Sequence, residues 1–302
     1  MATPTASPNS NGTAAATPTG IQTAVVVATR RCGPDAFVLE VETADPIPGC
    51  TAAALADGPN AATVASANPG WFAMLSPADG SGPVLPRPFS LYDVLAPNRI
   101  SFLIQELGRG TKALGKLAPG AVLDMTFPLG NGFTLPSTDR PVVLLAGGVG
   151  SAPFLLYARQ RLAAGAGDNT WVFLGGRTKE RLYDHEAFFE AGVTTLLSTD
   201  DGSHAFAGNV IQNLQAQRAA GVIPDDALFC ACGPAGFLHG FADYARAEGL
   251  EAQLSLETYM GCGYGVCNGC PVATEPDGPL GKWPWARTCQ EGPVFPLSSI
   301  KF

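Results

Sequence analysis

The sequence predicts a multidomain β plus α/β chain, in which an antiparallel β-barrel precedes a doubly wound parallel-sheet domain and a small cysteine domain closes the C-terminus. Three observations carry this. Residues 23–129 hold short alternating apolar runs separated by Gly, Pro, Asn and Asp, the pattern of an all-β barrel or sandwich. After Pro141 continuous apolar runs alternate with helical stretches, which is how a parallel sheet with crossover helices is written. Beyond residue 260 lie four of the eight cysteines. The expected divisions are a tail at 1–21, the barrel at 22–139, the α/β domain at 140–250 and the cysteine domain at 251–302.

Residues 1 to about 20 are Ala, Thr, Ser, Pro, Asn and Gly without a charge, a composition that cannot bury enough apolar surface to offset ordering, so a disordered tail is expected. The first arginine is Arg30, so the tail does not read as a transit peptide, and it does not read as a signal peptide either. The whole chain has 302 residues, 46% of them hydrophobic, enough for substantial cores. Its net charge of −8 argues against nucleic acid or an anionic membrane surface as partner. No run of eighteen apolar residues is present, so no membrane span is expected. Cys32, Cys50, Cys230 and Cys232 show no framework spacing, which fits a reducing cytoplasm.

The barrel strands are expected around residues 25–27, 37–41, 71–75, 89–92, 100–104 and 122–127. Two pieces among them look chemical. Arg87-Pro88-Phe89-Ser90 sets a guanidinium and a hydroxyl around a rigid proline, a combination able to grip a pyrophosphate and approach a flavin ring nitrogen. Gly108-Arg109-Gly110-Thr111-Lys112-Ala113-Leu114 reads as a glycine turn opening a short helix, with unpaired N–H groups for an anion. Each alone also reads as a surface ion pair or an ordinary turn.

In the second domain residues 142–146 form an apolar strand, Gly147-Gly148-Val149-Gly150 a loop, and Ser151-Ala152-Pro153 the opening of a helix over 154–164. Strand, glycine loop and helix N-terminus is the arrangement that cradles a dinucleotide phosphate, although the glycines do not follow the strict G-x-G-x-x-G order. Strands at 170–177, 194–199 and 228–232 then alternate with helices at 184–191, 209–219 and 237–248. Ligands of such sheets bind at the carboxyl ends of the strands, where Gly147, Gly148, Gly150, Asp200, Asp201, Cys232, Gly233 and Pro234 fall.

Cys262, Cys267 and Cys270 are spaced C-x4-C-x2-C, and Cys289 follows after eighteen residues, the plant-type spacing for a [2Fe-2S] cluster. Gly261, Gly263, Gly265 and Gly269 let the backbone wrap closely around its sulfurs. Zinc would favour two C-x2-4-C knuckles, [4Fe-4S] a tighter C-x2-C-x2-C run, and disulfides a short secreted scaffold.

Together these parts resemble the electron-transfer subunits of the NAD-dependent (class 1B) dihydroorotate dehydrogenases, within the ferredoxin-reductase-like flavoproteins. The resemblance covers residues 22–302 and is most specific in the cysteine run and in Arg287-Thr288-Cys289-Gln290-Glu291-Gly292-Pro293-Val294-Phe295. It implies that Arg87, Pro88, Phe89 and Ser90 form the flavin-binding strand, that Leu103, Ile104 and Gln105 run beside the flavin, and that Gly110 and Thr111 form the FAD phosphate turn. It further implies NAD in the second domain, Cys262, Cys267, Cys270 and Cys289 as cluster ligands, and no catalytic acid or base. The implied partner is an FMN-containing catalytic subunit in a cytoplasmic heterotetramer serving pyrimidine biosynthesis. The uncharged tail, the Ala- and Pro-rich segment 46–70 and Lys282-Trp283-Pro284-Trp285 depart from the family pattern. Two alternatives stand beside this reading: an NAD(P)H reductase feeding a ferredoxin, oxygenase or hydrogenase-like partner, and a zinc scaffold that binds nucleotide only as a regulator. Arg177, at a strand end, could meet the 2′-phosphate of NADP or lie solvated, and the resemblance favours NAD.

Overall fold

A computed structural model describes residues 20–50, 52, 53, 64, 65 and 67–302. The uncharged tail before residue 20 and residues 54–63 of the Ala- and Pro-rich segment lie outside the described residues. Strands β1 (Ile21–Arg31), β2 (Ala36–Thr43), β5 (Phe72–Pro77), β6 (Arg87–Ala96), β7 (Arg99–Gln105) and β8 (Val122–Leu129) close into a barrel in the order β1-β2-β7-β6-β5-β8. Every pairing around it is antiparallel, and closure leaves no free sheet edge. Alternation along each strand explains its core: Phe37, Leu39 and Val41 of β2 face Phe102 and Ile104 of β7 and Leu123, Met125 and Phe127 of β8 in one buried cluster. A two-residue pairing, β3 (Ala52–Ala53) with β4 (Val64–Ala65), and the short helix α1 (Arg109–Leu114) decorate the barrel.

The second sheet is built from β9 (Val142–Gly147), β10 (Thr170–Gly176), β11 (Thr194–Thr199), β12 (Phe206–Ala207), β13 (Leu228–Cys232) and β14 (Ala252–Ser255), all parallel. Its helices are α2 (Ala152–Ala163), α3 (His185–Ala191), α4 (Val210–Ala219) and α5 (Ala235–Ala247). Val142, Leu144 and Ala146 of β9 face α2 and α3, while Val143 and Leu145 face α4 and α5, so both faces of the sheet are covered. After β14 the chain makes a hairpin, β15 (Pro271–Ala273) with β16 (Trp285–Arg287), and returns as β17 (Val294–Pro296). Strand β17 pairs antiparallel with β14, giving the order β12-β11-β10-β9-β13-β14-β17. The cysteine segment therefore leaves the sheet edge through β14 and re-enters it through β17.

Helix α2 stands between sheet and barrel. Its Leu156 joins the barrel core, its Gln160 donates to the Ala67 carbonyl at 2.7 Å, and its Arg159 pairs with buried Asp93 of β6 at 2.9 Å. A second clasp joins Arg30 of β1 to Asp184 at 2.7 and 2.8 Å, with the Tyr92 hydroxyl donating to the same carboxylate at 2.6 Å.

Candidate functional site

The glycine loop after β9 is locked to the loop after β13. A Cβ on Gly150 would run into the Cys232 carbonyl and come within 2.6 Å of the Gly233 Cα, so only glycine allows the approach. Gly148 adopts φ +56°, and the chain then tightens into a 3-10 turn before α2, which carries Pro153 in its first turn. Around these loops lies a cavity of about 1120 Å³. Gly147, Gly148, Gly150, Asp200, Gly233 and Pro234, all expected there, line it. Arg177 and the N-terminus of α4 close one end, where Asn209 and Gln212 cap each other's backbone N–H at 2.9 Å. Asp35, Arg181 and Tyr183 line it as well and carried no sequence signal, since barrel and nucleotide domain contribute them jointly.

A second cavity of about 220 Å³ opens onto the barrel. Pro88, Phe89, Ser90, Leu103, Ile104, Gln105 and Thr111 line it as expected, and so does Cys232, which lies on this cavity rather than on the larger one. Its volume is below the roughly 300–1,000 Å³ common for whole ligands, so it suits a ring system more than an entire dinucleotide. Arg87 and Gly110 stand outside its lining and against each other: a Cβ on Gly110 would lie 3.3 Å from the Arg87 Cγ, and the guanidinium donates to the Leu85 and Pro86 carbonyls at 2.8 and 3.2 Å. The Thr111 hydroxyl is occupied too, accepting from the N–H groups of Leu107 and Gly108 at 2.9 and 3.1 Å. Gln105, Leu107, Val149 and Glu257 line both cavities and mark the seam between them. Burial raises the Glu257 carboxyl above its ordinary range.

The four C-terminal cysteines form two pairs. Cys270 and Cys289 place their sulfurs 3.2 Å apart, and Cys262 takes hydrogen bonds from the Cys267 thiol and from the Cys267 N–H at 3.5 Å. Gly263 and Gly265, at φ +82° and +87°, supply the left-handed turns between them. Gly261 and Gly269 are less constrained, since a Cβ on either would meet the Cys267 sulfur at 3.4–3.5 Å, an ordinary contact. Burial opposes ionisation of Cys262, yet the N–H groups of Cys267, Tyr264 and Val266 outweigh it and bring the thiol to about 7, while burial beside Cys270 pushes Cys289 up to about 12. Among the described residues no three His, Cys, Asp or Glu side chains converge on a single ion. Two thiol pairs with backbone donors suit a two-iron cluster, in which each iron takes two thiolates, better than one tetrahedral zinc.

These features stand in a row. Phe72 and Met260 line the smaller cavity and also pack with Cys270 and Cys289, so one layer of side chains separates that cavity from the thiols. In the same C-terminal segment Tyr259, Val266, Trp283 and Trp285 are all exposed.

Two family descriptions match the chain: the oxidoreductase NAD-binding domain over residues 144–243, and the iron-sulfur cluster binding domain of dihydroorotate dehydrogenase B over residues 257–301. Among curated proteins, the dihydroorotate dehydrogenase B (NAD(+)) electron transfer subunit of Desulforamulus reducens is 33% identical over 80% of this chain and 88% of its own length. Its counterpart in Geobacillus kaustophilus is 34% identical over 77% of this chain and 86% of its own. Among solved structures, a chain of the NADH-dependent reduced ferredoxin-NADP oxidoreductase superposes with a TM-score of 0.72 at 22% identity, covering 92% of this chain and 89% of its own. Phthalate dioxygenase reductase gives 0.55 at 18% identity over 74% and 64%. At those identities the solved structures show a common fold.

Proposed function

Because the chain belongs to the family of dihydroorotate dehydrogenase B (NAD(+)) electron transfer subunits, we propose that it carries electrons between an FMN-containing dihydroorotate dehydrogenase catalytic subunit and NAD, in pyrimidine biosynthesis. The observation that carries this reading is the row of large cavity, small cavity and thiol pairs, joined at one seam by Gln105 and Glu257 and at the other by Phe72 and Met260. The glycine loops Gly147, Gly148, Gly150 and Gly233 would receive NAD, with Pro234, Asp200 and the Asn209 end of α4 along its length. Pro88, Phe89, Ser90, Leu103, Ile104 and Gln105 would hold the FAD ring system, and Arg87, half-buried beside Gly110, would turn to its pyrophosphate. Cys262, Cys267, Cys270 and Cys289 would hold the [2Fe-2S] cluster. When bound, the flavin supplies the conversion between a hydride's electron pair and the single electrons a two-iron cluster carries.

The protein's own work is placement. Gly150 and Gly233 bring the phosphate loop against the end of β13, and the Phe72–Met260 layer excludes water between the flavin-side cavity and the sulfurs. The docking face for the catalytic subunit takes in the exposed Cys267 and the exposed indoles of Trp283 and Trp285, the complex being a cytoplasmic heterotetramer. Among the described residues no helix is long and apolar enough to cross a membrane.

The test is to combine the purified chain with the catalytic subunit and follow NADH formation from dihydroorotate. The complex should catalyse it, while the chain alone should pass electrons from NADH to ferricyanide and leave dihydroorotate untouched. A chain that never forms the complex, yet still reduces ferricyanide, would instead be an NAD(P)H reductase for another acceptor. Zinc without flavin or iron absorbance would make it a scaffold.

A further inference from the structure

Gln105 ends β7 at the place where the two cavities meet. Its amide nitrogen donates to Asp35 Oδ2 at 2.9 Å and to the Tyr183 hydroxyl at 3.1 Å. Tyr183 donates its own proton to Asp35 Oδ1, and Arg181 donates to Asp35 at 2.8 Å and to the Tyr183 oxygen at 3.0 Å. Asp35 and Gln105 belong to the barrel, Arg181 and Tyr183 to the nucleotide domain, so the four groups form a clasp across the domain boundary.

The clasp fixes which way the Gln105 amide points. Partial burial works against ionisation of Asp35, but hydrogen bonds from Tyr183, Gln105 and Arg181 hold its carboxyl below the usual range, so it is a carboxylate at neutral pH. A carboxylate accepts and cannot donate, and therefore the amide NH2 must face Asp35. The carbonyl oxygen is turned the other way. Among the described residues no group donates to it. Asp35, Arg181 and Tyr183 line the large cavity and none of them lines the small one, so the amide end of Gln105 belongs to the large cavity while its stem borders the small one.

An oriented, unpaired acceptor at this seam calls for a donor on the ligand of the large cavity. If that ligand is NAD, on which this inference rests, the ring that exchanges hydride must lie where the cavities join, and its carboxamide carries an NH2. We propose that the Gln105 carbonyl oxygen accepts a hydrogen bond from the nicotinamide carboxamide, with Asp35, Tyr183 and Arg181 as positioning residues that prevent the amide from flipping.

The experiment compares NAD+ with 3-acetylpyridine adenine dinucleotide, whose methyl ketone replaces the carboxamide and has no N–H. Affinities are read in the holoprotein from the change each dinucleotide makes in the flavin absorbance. The native protein should bind NAD+ about three- to tenfold more tightly than the analogue, the worth of one neutral hydrogen bond. Gln105→Met should remove that preference by weakening NAD+ alone, and Asp35→Asn, which lets the amide turn over, should reduce it. Asp35→Asn should keep the native flavin spectrum, and Gln105→Met should still bind FAD. An unchanged preference in Gln105→Met overturns the inference, and so does equal weakening of both dinucleotides, which would mean that the amide makes no contact specific to the carboxamide. Failure of the native protein to bind either dinucleotide would overturn the NAD site itself, a separate result.

Discussion

The sulfurs of Cys270 and Cys289 lie 3.2 Å apart although eighteen residues separate them in the chain. The β15–β16 hairpin is the reason. Pro271 faces Arg287 across it, and the Thr288 N–H donates to the Cys270 carbonyl at 2.9 Å, which carries the next residue, Cys289, back to Cys270. Both thiols are buried against Met74 and Leu129 of the barrel, so the hairpin brings the distant ligand to a wall already formed.

Replacing the distant member therefore tests the site without touching the local C-x4-C-x2-C run. Cys289→Ser should cost most of the two irons and two sulfides a plant-type cluster contains, while FAD stays bound. Iron and labile-sulfide analysis after desalting checks it, and full retention of both would exclude Cys289 as a ligand.

Gly150 gives a second prediction. A methyl there has no room beside the Cys232 carbonyl and Gly233, so Gly150→Ala must push the phosphate loop away from β13. Flavin and cluster should stay bound, because the loop meets the flavin-side cavity only through Val149 and none of its residues packs on the buried thiols. The rate of ferricyanide reduction by limiting NADH should fall about five- to a hundredfold, since a displacement of this kind costs about 1–3 kcal/mol. An unchanged rate would place the dinucleotide elsewhere.

Asp93 makes stability depend on pH. Burial, with a smaller contribution from Glu40, raises its carboxyl to about 6 against the pull of Arg159 and the Val94 N–H. The folded state thus prefers the protonated form. Its contribution is fully present below about pH 4, the ordinary range of an aspartate, and is lost as pH rises through about 6. The difference is about 3 kcal/mol at pH 8. Asp93→Asn can still accept from the Val94 N–H and has no charge to lose, while Arg159 is partly exposed and can be hydrated. Its thermal midpoint relative to the native protein should therefore rise by about 5 °C or more between pH 4 and pH 8. A difference that does not change with pH would mean that Asp93 is ionised throughout.

The sequence was most readable where function depends on neighbours in the chain. Glycine loops, the cysteine run and the alternation of strands and helices are local patterns, and the barrel and sheet follow them. Strands β14 and β17 have four and three residues, too few for a period to show, so their place on the nucleotide sheet came only from packing. Asp35 and Tyr183 stand 148 positions apart and Phe72 lies far from the cysteines it covers, so no spacing could join them. Thr111 shows a second way in which spacing falls short: the resemblance implies a phosphate turn there, but the Leu107 and Gly108 N–H groups that its hydroxyl accepts from, and so closes the turn with, are seen only in the structure.

The last prediction concerns the outlet for electrons. Tyr259 is 97% exposed, Val266 and Trp283 are each 73% exposed and Trp285 is 53% exposed. Tyr259 borders the cysteine run in sequence and Val266 lies within it, and the hairpin strand that carries Trp285 is tied to that run where Arg287 donates to the Gly265 carbonyl at 3.2 Å. Exposed large apolar side chains in a chain with net charge −8 are poorly accounted for by its own core, whereas indoles are the commonest anchors of protein interfaces. The backbone beneath them does not depend on the rings, since Thr274 donates to the Trp283 carbonyl and the hairpin closes through Val272 and Ala286. Trp283→Ser combined with Trp285→Ser should therefore leave iron content, flavin content and NADH–ferricyanide reduction as they are. The same pair should weaken the complex with the FMN-containing catalytic subunit by about 2–4 kcal/mol, roughly thirty- to a thousandfold in affinity. Titrating the catalytic subunit with each form, and reading NADH formation from dihydroorotate, measures that loss. Equal half-saturation for the native and doubly substituted chains would move the docking face away from the β15–β16 hairpin.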